Sequence, residues 1–287
     1  MRQPKIAPTP AGTSLAGKTA IITGGNSGLG LETARQFLTL GIDRLIITTR
    51  SASKGQQAVK TLRDDPAVAK SNPDAVIEVF ELELEDYNSV VAFCRKVKTE
   101  VPALHILLNN AGLISTEYQL SKDGHECVIQ VNCYSHFLIS RYLLPLLQAT
   151  ARASGAPSHL TFVGSGLHTN TKLSVPPATS VTSHFDDRKN WNGVARYNES
   201  KLVVAAFIHE LAKHVPSADV VVNHVCPGLV TTALGRTFPP WLQVVMWLYR
   251  KAMAREPEEG ARMIVYAAVL AGKESHGEFM RDNQIIG

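Results

Sequence analysis

The chain has 287 residues, 45% of them hydrophobic and 19% charged, with a formal net charge of +4. This is ordinary globular composition, with enough apolar material for one large core. The scattered basic residues lack the block or stripe that a nucleic-acid binder carries. No apolar run reaches the roughly 18 residues a membrane span needs, and the Pro-rich opening MRQPKIAPTPAGTSLAG has no apolar stretch of a secretory signal. Cys94, Cys127, Cys133 and Cys226 form neither a CxxC pair nor a zinc spacing. They read as buried apolar residues of a chain from a reducing, cytoplasmic compartment, where the sequon Asn198-Glu199-Ser200 is a chance match.

In chain order, residues 1–15 are expected to be a flexible segment. KTAIIT (18–23) reads as a buried strand, followed by the glycine-rich turn TGGNSGLG (23–30) and a helix over 31–40 with Gly41 as its C-cap. A strand at 43–49 leads to a helix at 53–65, and a strand at 75–84 to a helix at 88–100 that opens on Asn88 as cap. A fourth strand, 105–112, precedes one long helix over 127–151 that Pro145 should kink. A strand at 159–165, a helix at 195–215 and a strand at 219–228 follow. Continuous Val/Ile/Leu strands alternating with helices imply a parallel sheet buried on both faces. Right-handed crossovers make that an α/β fold, a single doubly wound sheet of Rossmann type, in one domain over 16–287.

A glycine-rich turn alone decides nothing. Here it follows a buried strand and opens a helix, the geometry that points backbone N–H groups at a pyrophosphate. Gly24, Gly28 and Gly30, with Asn26 among them, make the spacing T-G-x-x-x-G-x-G. The second strand ends in Thr48-Thr49-Arg50, twenty residues past Gly30, where an NAD site would place a carboxylate on the ribose 2′-hydroxyl. A guanidinium there can instead pair with a 2′-phosphate through two hydrogen bonds. NADP(H) is therefore favoured, with Lys54 as a second positive charge.

Further down, Tyr197-Asn198-Glu199-Ser200-Lys201 puts a phenol and an ammonium on one helical face. A phenol with its ordinary pKa of about 10 is a poor acid–base catalyst at neutral pH, and a nearby cation favours the phenolate. The ammonium can also reach a nicotinamide ribose. Ser165, at the end of the fifth strand, can hold a substrate oxygen beside the phenol.

TGGNSGLG, NNAG (109–112), Asn132, Ser165, YNESK (197–201) and PGLVTT (227–232) occur in that order. Together they resemble the short-chain dehydrogenase/reductase family over roughly residues 16–283. YNESKL and VNCYSHFLIS are similar to the branch with retinol dehydrogenases, the WW-domain oxidoreductase and fungal secondary-metabolite reductases. The resemblance implies an oxidoreductase that interconverts an alcohol with a ketone or aldehyde. Tyr197 is then the acid/base, Lys201 lowers its pKa and binds ribose, Ser165 polarises the carbonyl, and Asn132 holds a relay water. Leu29 lies in the pyrophosphate turn, Glu83 stands near adenine, and Asn109 and Gly112 line the adenine-ribose side. Arg141 is a cofactor-side contact, while Val230 and Thr232 receive the carboxamide.

Two departures stand out. Ser165 and Tyr197 are 32 residues apart, where about a dozen is usual in the family. The Pro-, Ser- and Thr-rich stretch 167–190 between them is expected to be a surface loop bordering the substrate site. The chain also ends at RDNQIIG, where relatives continue with more strand and helix, which reads as a shortened chain. No metal site is expected. His209 and His214 of HELAKH are five apart, about 140° around a helix, and cannot share a ligand face.

PPWLQVVMWLYRKAM (239–253) reads as a lid, within a segment 233–254, over a hydrophobic substrate. A peripheral membrane contact or a homo-oligomer face is open for the same stretch. The expected function is an NADPH-dependent reductase of a hydrophobic ketone or aldehyde. A non-catalytic NADP-binding scaffold or sensor, and a cofactor-retaining epimerase or dehydratase, stay open beside it.

Overall fold

The computed structural model describes residues 3–176, 178–231 and 253–286, together with Gln243, Trp247 and Lys251. Its strands are β1 Thr19–Ile22, β2 Arg44–Thr49, β3 Val76–Glu81, β4 Ile106–Asn109, β5 Ser158–Val163, β6 Val220–Cys226, β7 Phe279–Arg281 and β8 Gln284–Ile286. They form one sheet in the order β3-β2-β1-β4-β5-β6-β7-β8. The pairings from β3 through to β7 are parallel, and only β8 runs antiparallel, to β7. This is the doubly wound Rossmann sheet, whose strand order reverses between β1 and β4.

The helices are α1 Gly28–Thr39, α2 Ala52–Arg63, α3 Pro66–Ser71, α4 Tyr87–Glu100, α5 Cys127–Ile129, α6 Ser135–Ser154, α7 Val181–Asp186, α8 Gly193–His214 and α9 Pro257–Val265. Strand side chains alternate between two cores. Ile21, Ile46, Leu107, Leu160 and Val222 pack with Phe93 of α4, Leu143 of α6 and Ile208 of α8. Ala20, Ile22, Leu45, Ile47 and Leu108 pack on the other face with Phe37 of α1, Leu62 of α2 and Ile264 of α9. Each such fully buried Leu or Ile contributes about 1.5–3 kcal/mol, and because both faces of β1 and β4 are buried these strands read as unbroken apolar runs.

Several local expectations need correction. Asp86, not Asn88, caps α4, its carboxylate accepting from the N–H groups of Asn88 at 2.9 Å and Ser89 at 3.4 Å. The long helix is interrupted at Asn132: a π turn over Gln130–Tyr134 separates α5 from α6, and α6 then runs on through Pro145. The segment before residue 16, expected to be flexible, lies against the body. Ile6 and Leu15 are buried, and the Ile6 carbonyl accepts from Arg262 Nη1 of α9 at 2.9 Å.

Beyond residue 228 the sequence reading named no element, yet α9, β7 and β8 complete the fold. Asp282 and Asn283, at φ 53° and 58°, form the tight turn between the last two strands, as type I′ hairpins require. The expected lid at 233–254 lies mostly outside the described residues. Of its described part, Trp247 is exposed and Lys251 Nζ sits 5.1 Å over its ring.

Candidate active site

At the point where the strand order reverses, β1 and β4 end side by side, and the turn after each meets the other. Thr23 is the hub. Its N–H donates to the Leu108 carbonyl at 3.0 Å, and its Oγ1 accepts from the N–H groups of Asn110 and Ala111 at 2.8 and 3.0 Å. Asn110 Nδ2 donates back to the Thr23 carbonyl at 2.8 Å. A Cβ at Gly30 would stand 2.5 Å from both Asn110 Nδ2 and the Gly24 carbonyl, so only glycine lets α1 start this close to the strand ends. Gly24 and Gly28 have positive φ, 64° and 54°. Asn26 and Leu29 are half-buried in the same turn. Ser27, the N-cap, makes no side-chain cap bond, which leaves the first N–H groups of α1 directed at the turn as donors for an anion.

Arg50 follows β2 with its side chain 57% exposed, Nη1 lying 3.7 Å from Glu83 Oε2 and 3.8 Å from Glu85 Oε1. Lys54 is exposed on α2. Two expected cofactor contacts point elsewhere. Asn109 is buried and its amide donates to Ser140 Oγ of α6 at 2.9 Å, because alternate residues of a strand face opposite sides; its neighbour Asn110 does the bracing. Arg141 is exposed on α6, roughly half a turn round the helix from Asn132. Among the described residues it bonds to none of the other candidate site residues. Gly112, expected near the adenine ribose, borders the catalytic pair: a Cβ there would lie 3.5 Å from Asn132 Oδ1 and 4.0 Å from Lys201 Nζ.

Asn132, Ser165, Tyr197 and Lys201 converge. Asn132 is buried in the π turn, accepting at Oδ1 from Leu113 N–H at 2.7 Å and donating through Nδ2 to the Leu113 carbonyl and to Ser200 Oγ, both at 2.9 Å. Ser200 Oγ in turn donates to the Tyr197 carbonyl at 2.7 Å, so Asn132 fixes the register of the catalytic turn of α8. Lys201 Nζ donates to the Val163 carbonyl at 2.9 Å and lies 5.5 Å from the Tyr197 ring centroid. Ser165 lies just after β5, and its hydroxyl, 32 positions before Tyr197, acts on the Tyr197 phenol to lower its pKa.

Burial dominates the electrostatics of this pair. It pushes the Tyr197 phenol well above its ordinary value, with nearby Cys226 adding to the rise and the Ser165 hydrogen bond opposing it. It also pulls the Lys201 ammonium down to about 8, against the opposing influence of Cys133 and Cys226. The sequence-based expectation of a cation-lowered phenol omitted this desolvation, which disfavours both charged forms.

Three contributors were missed from sequence. His136, buried and pushed down to about 3 by desolvation, holds Thr23 Oγ1 at 3.1 Å through Nε2. The backbone of Val131 and Asn132 in the π turn acts against that shift. A lone histidine at a core-facing helical position was its signal. Gln3 braces the loop after β6: its amide donates to the carbonyls of Leu229 at 2.8 Å and Met253 at 3.0 Å, and its Oε1 accepts from Leu229 N–H at 2.9 Å. Buried Arg255 donates to the Pro4 carbonyl and to Asp282 Oδ1, both at 3.0 Å. Nothing local in the sequence marks either. Val230 is buried in this loop, and a Cβ at Gly260 would touch both Val230 Cγ2 at 2.7 Å and Leu29 Cδ2 at 2.9 Å, so the first turn and the last loop meet on α9. Thr232 lies outside the described residues.

An uncapped helix start behind a glycine turn, a strand-end guanidinium, and a buried Tyr–Lys–Asn group with half-buried Ser165 beside it define a dinucleotide-dependent oxidoreductase site. The family model described as short chain dehydrogenase matches residues 18–166. The chain is 49% identical to the short chain dehydrogenase sor7 of Hypocrea jecorina, over 99% of this chain and 80% of that one. It is 42% identical to the short chain dehydrogenase AOL_s00215g274 of Arthrobotrys oligospora, over 98% and 87% of the two. Among solved structures, the Pseudomonas aeruginosa RhlG/NADP active-site complex superposes with a TM-score of 0.71 at 23% identity, covering 95% of this chain and 97% of that one. The chain belongs to the short-chain dehydrogenase/reductase family, and with its fungal relatives it is an oxidoreductase of that family.

Proposed function

We propose that the protein is an NADPH-dependent reductase of a ketone or aldehyde on a hydrophobic small molecule of secondary metabolism. The convergence of Tyr197, Lys201, Ser165 and Asn132 carries this reading. The residues fit the cofactor. The uncapped start of α1 suits a pyrophosphate, and exposed Arg50 suits a 2′-phosphate. The solved relative RhlG is described with NADP in its active site. Lys201 would meet the ribose, Leu29 would lie beside the pyrophosphate and Val230 would receive the carboxamide. Bound there, the cofactor supplies the hydride.

The chain's own residues manage the oxygen. In the proposed reaction the Ser165 hydroxyl and the Tyr197 phenol both donate to the substrate carbonyl oxygen. Because burial keeps Tyr197 protonated, the phenol is in the form that reduction requires, a donor of the proton the new alkoxide takes up. Lys201 stabilises the phenolate left behind, and Asn132 holds α8 so that the distances do not drift.

The test is cofactor oxidation by purified protein with NADPH and with NADH, against bulky hydrophobic ketones and aldehydes. Turnover with NADPH, little with NADH, and none in Tyr197→Phe despite retained NADPH binding is the expected outcome. NADPH binding without turnover on any carbonyl would turn the reading to a non-catalytic scaffold. Turnover without net NADPH consumption would turn it to an epimerase or dehydratase.

A further inference from the structure

The insertion between Ser165 and Tyr197 is more than a surface loop. It carries a short helical turn over Gly166–Asn170, then α7, then a turn over Arg188–Asn190. Its near end is fixed where His168 Nδ1 meets the Ser165 carbonyl at 2.6 Å. Its far end is held by Asp186, the last residue of α7. Asp186 Oδ2 lies 2.8 Å from His125 Nδ1, Oδ1 accepts from Glu126 N–H at 2.9 Å, and the Asp186 carbonyl accepts from the Tyr118 hydroxyl at 2.5 Å. All three partners belong to the segment that runs from the end of β4 to α5.

On the other side the same turn grips the catalytic helix. Phe185 is fully buried, with the Arg196 guanidinium 4.6 Å over its ring. Arg196, itself buried and the residue before Tyr197, donates through Nη2 to the Asn190 carbonyl at 3.1 Å. Trp191 packs edge-on against Tyr118 at 6.2 Å. At Gly193 a Cβ would come within 3.3 Å of the Ser115 carbonyl. Thus residues 115–126, the end of the insertion and the start of α8 interlock.

We propose that Asp186 is a positioning residue that latches the insertion onto the 118–126 segment, making one fixed wall of the substrate cleft that selects among carbonyl compounds by shape. This rests on the reductase reading for its kinetic consequence but not for the latch itself. Two directional carboxylate bonds are used where burial alone needed only Phe185, and their directionality is what a defined wall demands. Neither the phosphate turn nor Arg50 touches this unit, so cofactor binding should be indifferent to it.

The experiment compares wild type with Asp186→Ala, His125→Ala and Asp186→Asn by limited trypsinolysis and by initial rates. Exposed Lys172, Arg188 and Lys189 in the insertion are the cleavage sites. A released insertion opens locally more often, so the two alanine variants should be cut about tenfold faster, at an unchanged global melting temperature. The KM for the carbonyl substrate should rise about tenfold, with kcat and the NADPH KM within twofold of wild type. Asp186→Asn keeps an acceptor for Glu126 N–H and should fall between. Cleavage as slow in His125→Ala and Asp186→Ala as in wild type overturns the latch, as does a fall in kcat at constant substrate KM. If Asp186→Ala does not fold, His125→Ala alone carries the comparison. A wild type without turnover would remove the reductase reading, while the trypsin result still decides the latch.

Discussion

Replacing Lys201 by methionine should inactivate the enzyme and, at neutral pH, stabilise its fold. Lys201 is 5% exposed, and burial pulls its ammonium from 10.5 to about 8. The unfolded chain keeps the ordinary value. Below about pH 8 both states hold the proton and the folded state bears the whole difference, about 3 kcal/mol at 1.36 kcal/mol per unit. Between about pH 8 and 10.5 the unfolded state holds more protons, so wild-type stability rises with pH and the penalty vanishes above that window. Methionine is close in volume and uncharged, and removes the penalty. It also loses the bond from Nζ to the Val163 carbonyl, worth about 1 kcal/mol. Lys201→Met should therefore gain about 2 kcal/mol at pH 7 and lose that advantage by about pH 10.5. Urea denaturation of both proteins at several pH values measures the difference. A wild type more stable than Lys201→Met at pH 7, or a gap that does not close as pH rises, would refute the desolvation argument.

Other changes probe the remaining parts of the site. Arg50→Ala should raise the NADPH KM about 10- to 100-fold, as loss of a charge-assisted pair implies, and leave NADH untouched; equal losses with both cofactors would remove Arg50 from 2′-phosphate recognition. Glu83→Gln deletes a carboxylate 3.7 Å from Arg50 and should tighten NADPH a few-fold, since an exposed pair is worth about 0.2–1 kcal/mol; weaker NADPH binding would instead favour a direct contact of Glu83 with adenine. His136→Phe keeps an aromatic ring but removes the partner of Thr23 Oγ1, and should cost about 1–3 kcal/mol in a denaturant melt with a clear fall in kcat; an unchanged kcat would mean that the strand-end turn does not need it. Gly30→Ala puts a Cβ 2.5 Å from Asn110 Nδ2 and the Gly24 carbonyl and should cost about 1–3 kcal/mol together with most NADPH affinity by fluorescence titration; near-normal affinity would show that the turn can relax.

What could be read from sequence was what repeats or sits at a fixed offset. Tyr197 and Lys201 share a helix face because four residues nearly complete a turn, and β1, β2 and β4 announced themselves because both faces of each strand are buried. Contacts between residues far apart in the chain left no such trace. Gln3 meets Leu229 and Arg255 meets Asp282 only because the sheet brings the ends of the chain together. β7 and β8 are three residues each, too short for alternation to register. The choice between Asn109 and Asn110 was undecidable from two identical neighbours; the end of β4 turns one into the core and the other toward the phosphate turn. In the insertion, composition said loop and missed the short helix Val181–Asp186, and Phe185, a large aromatic amid polar residues, was an unread sign of an anchor.

The most instructive difference concerns Tyr197. Sequence reasoning counted the cation four residues away and concluded that the phenol would be acidified. The folded chain adds burial, which acts against phenolate and ammonium alike. For an oxidation, which begins with a base, that balance would be a handicap. A reduction begins with an acid, and a buried, protonated phenol hydrogen-bonded to Ser165 holds its proton until charge develops on the substrate oxygen. Only then does the Lys201 ammonium gain a full negative partner in a low-dielectric site, where the attraction is strongest. The same burial that raises the resting pKa thus concentrates stabilisation in the step that the proposed reduction needs, so the proposed direction and the stability cost of Lys201 share one cause.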